Sequence, residues 1–210
     1  MADAKKSVRL SSRTLAQAGL DGLSLEVFKS DSRSRVWLVD GSDNKKVVVK
    51  QFVYQPLRQQ LARCVGYHPA QRELNGNDRL KNAGVPVVPV FDCGIEDGKA
   101  WLATPYLGES LLRCLRKGEQ IHVFIDAAAI LALTLISAGY TFKDLKPSNM
   151  IIDERGQAHL IDAGSVKRSV SPSEIHRMLG VMDRVLARDG IENGYREQFA
   201  RKIQAGLKSL

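Results

Sequence analysis

Apolar and polar positions alternate through much of the first half of the chain. Leu23 to Phe28 (LSLEVF) carries the two-residue period of a half-exposed strand. Ser30 to Arg35 (SDSRSR) is a polar turn, and Val36 to Val39 resumes as a strand that ends in a hairpin turn at Asp40-Gly41. Lys46 to Phe52 (KVVVKQF) is β-branched, closes on an aromatic residue and predicts a buried strand. Pro69 then opens a helical segment, with Gly84 as its stop and Pro86 just beyond. Two further strands are predicted, Val85 to Cys93 and, after an Asp97-Gly98 turn, Ala100 to Leu107.

The second half changes character. Glu119 to Gly139 predicts one long helix that includes Leu131, Leu135 and Ile136. Its core, Ile121 to Ile136, is the most apolar run of the chain; it contains His122 and Asp126 and falls short of the roughly 20 residues that span a bilayer. A buried helix is the expected reading, and a face for membrane or partner contact is the alternative. Tyr140 to Asn149 is a polar, proline-bearing loop. Met150 to Asp153 and Ala158 to Ile161 predict a small hairpin around Glu154-Arg155-Gly156, and Ser173 to Arg188 and Tyr195 to Leu207 have helical periodicity. Strands with one helix followed by helices with one hairpin make an α+β arrangement of two lobes, residues 1–107 and 108–210, joined near Gly108.

Composition narrows the class. A chain of 210 residues with 44% hydrophobic content is large enough for one domain or two small lobes and is not globally disordered. Cys64, Cys93 and Cys114 lie far apart without a CxxC pair, which fits a reducing, cytoplasmic setting. Cys64 and His68 are one helical turn apart, but nothing nearby completes a zinc ligand set. Met1 to Leu10 is polar and reads as no targeting signal. The net charge of +8 is spread over both halves. It favours phosphate-rich partners, or serves solubility alone.

Four polar residues stand where apolar ones are expected. Lys50 interrupts VVVKQF, Asp144 and Asn149 sit in the loop FKDLKPSN, and Asp162 follows the apolar HLI. Withdrawing an unpaired charge from water costs several kcal/mol, so Lys50 calls for an anion and Asp162 for a cation. Asp144-Leu145-Lys146-Pro147-Ser148-Asn149 resembles the catalytic loop H-R-D-L-K-P-x-N of the protein-kinase-like superfamily, and Asp162-Ala163-Gly164 resembles its D-F-G. The spacing is similar too: Asn149 lies five residues after Asp144 and Asp162 eighteen after it. Lys50 resembles the lysine of V-A-I-K. Glu73, the only glutamate between Glu26 and Glu96, falls in the one helix of the first lobe as its natural partner.

The resemblance implies an α+β, two-lobed protein-kinase-like fold with a minimal, truncated C-terminal lobe, and it implies ATP and Mg2+ as cofactors. It assigns Lys50, held by Glu73, to the α/β-phosphates; Asp162 and Asn149 to magnesium; Asp144 to the proton of the attacking hydroxyl; and Lys146 to the charge on the transferring phosphoryl group. The adenine is expected on the backbone of Thr104-Pro105-Tyr106-Leu107. The chain also departs from the pattern. Lys29, Asp31 and Ser34 stand where the glycines of G-x-G-x-x-G would fall. The turn SDSRSRV, with Ser32 and Ser34, then either holds phosphate through hydroxyls, backbone N–H groups and Arg33 or Arg35, or is an ordinary polar hairpin. Phe142 replaces the family's histidine and Ala163 its phenylalanine. The latter change argues against switching by displacement of that ring.

After Gly164 only 46 residues follow, without an A-P-E sequence, so the usual platform for a polypeptide substrate is not expected. Such a chain is similar to the small bacterial kinases of the lipopolysaccharide core. That resemblance implies transfer of the γ-phosphate to a hydroxyl of a heptose or Kdo sugar in a lipid-linked core oligosaccharide, with no nucleic-acid partner. Tyr195, Arg196, Arg201, Lys202 and Lys208 make the last helix basic. It is read either as a peripheral contact with the anionic cytoplasmic face of the inner membrane or as a solvated face. An atypical Ser/Thr protein kinase, a kinase of another small alcohol, and an inactive nucleotide- or partner-binding module are the alternative functions.

Overall fold

The computed structural model describes residues 25–41, 45–53, 68–96 and 99–209. Cys64, the N-terminal segment, Leu23 and Ser24 of the first predicted strand, and the Asp97-Gly98 turn lie outside the described residues. The fold is α+β. It divides into two compact units: residues 1–74 with 89–106, and residues 75–88 with 107–210.

The first unit is built on a five-stranded antiparallel sheet in the order β1-β2-β3-β5-β4. Its strands are β1 (Glu26–Ser30), β2 (Ser34–Asp40), β3 (Lys46–Phe52), β4 (Asp92–Glu96) and β5 (Lys99–Pro105). Alternation on β3 sends Val47, Val49 and Gln51 to a buried face, where the two valines pack with Trp37, Val39, Trp101 and Ala103. Lys50 therefore does not interrupt that core. It stands on the opposite, half-buried face, in register with Val36 of β2 and Leu102 of β5.

Helix α1 (Pro69–Asn82) has its first residues in the first unit and the rest in the second. Its start combines Pro69 with a cap, because the Gln71 N–H donates to His68 Nδ1 at 3.2 Å. It ends at Gly84, whose φ of +76° costs a glycine nothing. Beyond it, the predicted strand Val85 to Cys93 does not form as such. Pro86 and Pro89 lack N–H groups, so the stretch contributes only a parallel bridge from Val87 to Leu160, and the strand proper begins at Asp92.

The second unit is mainly helical. Helices α2 (Leu111–Lys117), α3 (Ile121–Ser137), α4 (Pro172–Arg188) and α5 (Asn193–Lys208) surround a core that includes Leu111, Ile125, Leu131, Leu135, Phe142, Met178, Met182 and Phe199. The apolar stripe of α3 is buried in this core, as expected of a central helix. Two small sheets complete the unit. One pairs β6 (Gly108–Ser110) with β8 (Met150–Asp153), which pairs in turn with β9 (Ala158–Leu160). The other pairs β7 (Tyr140–Phe142) with β10 (Val166–Arg168). The predicted loop from Tyr140 thus begins as a strand, with Thr141 and Phe142 buried. Gly108 must be glycine: its φ is +156°, and a Cβ would lie 2.0 Å from the Ile152 carbonyl oxygen.

Candidate active site

The first unit presents Lys50 and Glu73 together. Lys50 Nζ donates to Glu73 Oε1 at 2.6 Å, and each side chain is 13% exposed. Pairing compensates much of the cost of holding both charges away from water. Phe52, two residues on and on the same face of β3, places its ring centroid 4.9 Å from the ammonium.

The turn between β1 and β2 is closed by its own acid. Asp31 Oδ1 accepts the N–H groups of Arg33 and Ser34, each at 2.8 Å, and Lys29 pairs with Oδ2 at 3.0 Å. These backbone and lysine contacts hold the Asp31 carboxyl at about 2, below its usual value. Ser34 is buried and its hydroxyl accepts from Lys29 Nζ at 3.0 Å, whereas Ser32 is exposed. The two N–H groups that could meet a phosphate thus already hold a carboxylate.

Thr104 stands on the Lys50 face of the sheet, paired in register with Val48. Pro105 has no N–H, and the Tyr106 N–H donates to Lys46 O at 3.0 Å. Of the four residues expected to carry a base, Leu107 therefore retains an N–H without a backbone partner among the described residues. Phe28 lies nearly parallel to the Tyr106 ring, 6.2 Å between centroids and 12° between planes. Sequence reading missed Phe28; an aromatic just before the polar turn was the available signal.

In the second unit the FKDLKPSN stretch is anchored by its apolar members. Phe142 and Leu145 are fully buried, and the Phe142 N–H donates to Met178 Sδ at 3.2 Å. Asp144, between them, is exposed, and Lys146 is half-buried with an extended backbone. Asn149 is the hub. It is buried, and its Nδ2 donates to the Asp144 carbonyl at 3.0 Å. Its N–H donates to Lys146 O at 2.9 Å, and its own carbonyl accepts from Ile161 N at 3.0 Å. The residue after Ile161 is Asp162, which adopts a left-handed conformation, φ 61° and ψ 34°. Outside glycine this region is sparsely used, and where the surroundings impose it the residue is often functional.

The donors suit a hard divalent cation. With its amide nitrogen on Asp144, Asn149 is left with Oδ1, and Asp162 brings a carboxylate. Among the described residues there is no cluster of three or more His, Cys, Asp or Glu that would hold a metal unaided. A magnesium ion here would draw its other ligands from phosphate oxygens and water, as is usual for it.

Several cations of α5 are engaged. Arg196 makes two bonds to Asp183, at 2.9 and 3.0 Å, and Lys202 pairs with Asp126, which also accepts from Gln198. Arg201 and Lys208 are exposed. No described helix is long and apolar enough to cross a membrane.

No family model matches the chain. It is 28% identical over 135 residues, 59% of its length, to the 2-5A-dependent ribonuclease of Homo sapiens. It is 31% identical over 101 residues, 45% of its length, to the dual specificity mitogen-activated protein kinase kinase hemipterous of Drosophila melanogaster. The chain spans 18% and 9% of the lengths of these two relatives. The result is a distant, partial homology to kinase-domain proteins. It agrees with an α+β fold compatible with a small kinase-like domain.

Proposed function

We propose that the chain is a phosphotransferase that moves the γ-phosphate of ATP to an alcohol. The observation that carries this reading is the Asn149 hub. One buried side chain ties the Asp144 backbone in place while its main chain holds the strand that delivers Asp162 in a left-handed conformation. A general base and a cation-binding carboxylate are thereby organised by the same residue. Lys50, paired with Glu73, supplies charge for the α/β-phosphates. Asp144, exposed, accepts the hydroxyl proton, and Lys146 faces the transferring group with a positive charge. Bound magnesium would neutralise charge on the phosphates.

For the acceptor, the segment between Gly164 and α4 supports a compact molecule. Only seven residues, 165–171, separate them, and three of these are held as β10 against β7. No long loop is left there to dock an extended peptide. A sugar hydroxyl of a lipid-linked core oligosaccharide, approached from an anionic membrane surface, is the acceptor proposed. A protein serine or threonine is the second reading, favoured by the likeness to hemipterous.

The test is phosphate transfer from ATP to core oligosaccharide, free sugars and generic protein substrates, with wild-type protein, Asp144→Ala and Asp162→Asn. Asparagine tolerates the left-handed conformation, so the second variant keeps the backbone and loses the charge. Transfer to the glycan, abolished by both substitutions, is expected. Transfer to protein alone would replace the sugar reading. Near-normal turnover by Asp162→Asn would refute the metal assignment, and no transfer with any acceptor would refute the enzyme.

A further inference from the structure

Lys29 stands where a glycine of the first turn would fall, and the sheet turns it toward Lys50. On β1, Val27 pairs with Trp37, a member of the buried cluster on the face opposite Lys50. Strict alternation would send Lys29 to that same face. Instead the register shifts between Val27 and Lys29, Phe28 is the extra residue, and Lys29 pairs with Val36. Val36 pairs in turn with Lys50. Directly opposed residues share a face, so this bulge re-aims Lys29 onto the face of Lys50, two strand spacings or about 10 Å across the sheet. The Phe28 ring, stacked on Tyr106, anchors the extra residue.

The ammonium is fixed in this position. Lys29 Nζ donates to Ser34 Oγ at 3.0 Å and pairs with Asp31 Oδ2 at 3.0 Å. Ser34 is 4% exposed and lies two residues before Val36, on the same face of β2. A lysine ammonium has three donors, so these two contacts leave one, on a side chain that is half-exposed. The turn closes without Lys29, because Asp31 Oδ1 accepts the N–H groups of Arg33 and Ser34 and the Asp31 N–H donates to Ser34 O at 3.0 Å. An exposed ion pair is worth about 1 kcal/mol at most, which does not account for a bulge. The same closure takes up N–H groups that a phosphate would use, so a side-chain cation is what this turn has left to offer.

We propose that Lys29 is a second phosphate-binding residue: its ammonium, set by the bulge, Ser34 and Asp31, meets the triphosphate of the nucleotide from the face that carries Lys50 and takes the place of a glycine-rich turn. The inference rests on the phosphotransferase reading and adds how the phosphates are held without glycines. Every residue it uses belongs to the first unit.

The test measures binding of ATP with magnesium, adenosine and inorganic tripolyphosphate by calorimetry, with wild-type protein, Lys29→Gln and Lys29→Arg. Lys99→Gln is the control: Lys99 lies two residues before Trp101 on β5 and so belongs to the opposite face. Lys29→Gln should weaken ATP and tripolyphosphate by about tenfold, the scale of one hydrogen bond to a charged group, and leave adenosine unchanged. Lys29→Arg keeps the charge and should stay within about threefold of wild type. The control should match wild type. A loss of ATP affinity under about threefold in Lys29→Gln, an equal loss for adenosine, or an equal loss of ATP in Lys99→Gln would overturn the proposal. If Lys29→Gln does not fold, the NMR signal of the Lys29 ammonium in the wild-type protein decides: it should move on titration with tripolyphosphate, and an unmoved signal at saturation overturns the proposal. If the wild-type protein binds no ATP, the phosphotransferase reading fails, while tripolyphosphate still decides for or against Lys29; a wild-type protein that binds neither defeats both.

Discussion

Asn149→Asp probes the hub of the candidate site with a single-atom change. Asn149 is 5% exposed and donates Nδ2 to the Asp144 carbonyl at 3.0 Å. Aspartate has the same shape but, ionised, only accepts. The lost hydrogen bond is worth about 1 kcal/mol. A buried carboxylate facing a carbonyl oxygen also resists ionisation. If its folded pKa rises by about 2 units above the ordinary 3.9 or so, the further cost at neutral pH is about 2.7 kcal/mol. The total is then about 3–4 kcal/mol. The sign follows from the raised folded pKa. Below about pH 4 the carboxyl is protonated in both states, its O–H restores a donor, and the deficit is small. As the pH rises from about 4 to 6 the deficit grows by about 1.4 kcal/mol per unit, then levels off. Urea unfolding of both proteins at pH 4 and pH 7.5 measures the difference directly. A deficit under about 1 kcal/mol at pH 7.5, or one independent of pH, would show that Asn149 does not hold the Asp144 carbonyl.

Two other outcomes follow from individual contacts. His68 caps α1 as an acceptor, and burial pushes its pKa below the ordinary 6.5. Its contribution should be complete above pH 6.5 and decline as the pH falls through the lower folded value. Protection of the Gln71 amide, its exchange measured against the ordinary slowing of exchange with falling pH, should therefore decrease below pH 6, and unchanged protection would count against the cap. Asp31 occupies the N–H groups of the β1–β2 turn as an ionised carboxylate. Asp31→Ala should free them and tighten ATP by about threefold, the scale of one solvent-screened charge contact. A weaker affinity in calorimetry would instead mean that Asp31 shapes a turn already used by the nucleotide.

Much of the fold was legible because the relevant signals are local. Pro69 and Gly84 bracket α1, the apolar stripe of Ile121 to Ile136 marks the buried helix, and KVVVKQF is β3 at both ends. Asp144, Asn149 and Asp162 stood out as polar residues in apolar company. Helix α2 was missed because the three cations in LLRCLRK obscure its apolar face. Its caps were nonetheless in the sequence, Ser110 accepting from the Arg113 N–H and Gly118 in a left-handed conformation. The strand from Val85 failed for a legible reason, its two prolines.

What the sequence determined by itself is the order of elements and the chemical types available: a lysine on a strand, one glutamate on one helix, and an aspartate, an asparagine and another aspartate at set intervals. Those follow from periodicity and turn chemistry, which act over a few residues. The tertiary structure alone decided which atoms meet. It put Lys50 on the half-buried face rather than in the core, gave the Arg33 and Ser34 N–H groups to Asp31, and turned the Asn149 amide to Asp144. It also brought Gly76 against Ala163, 87 residues away in the chain, where packing at backbone distance requires a glycine that helix propensity alone would disfavour.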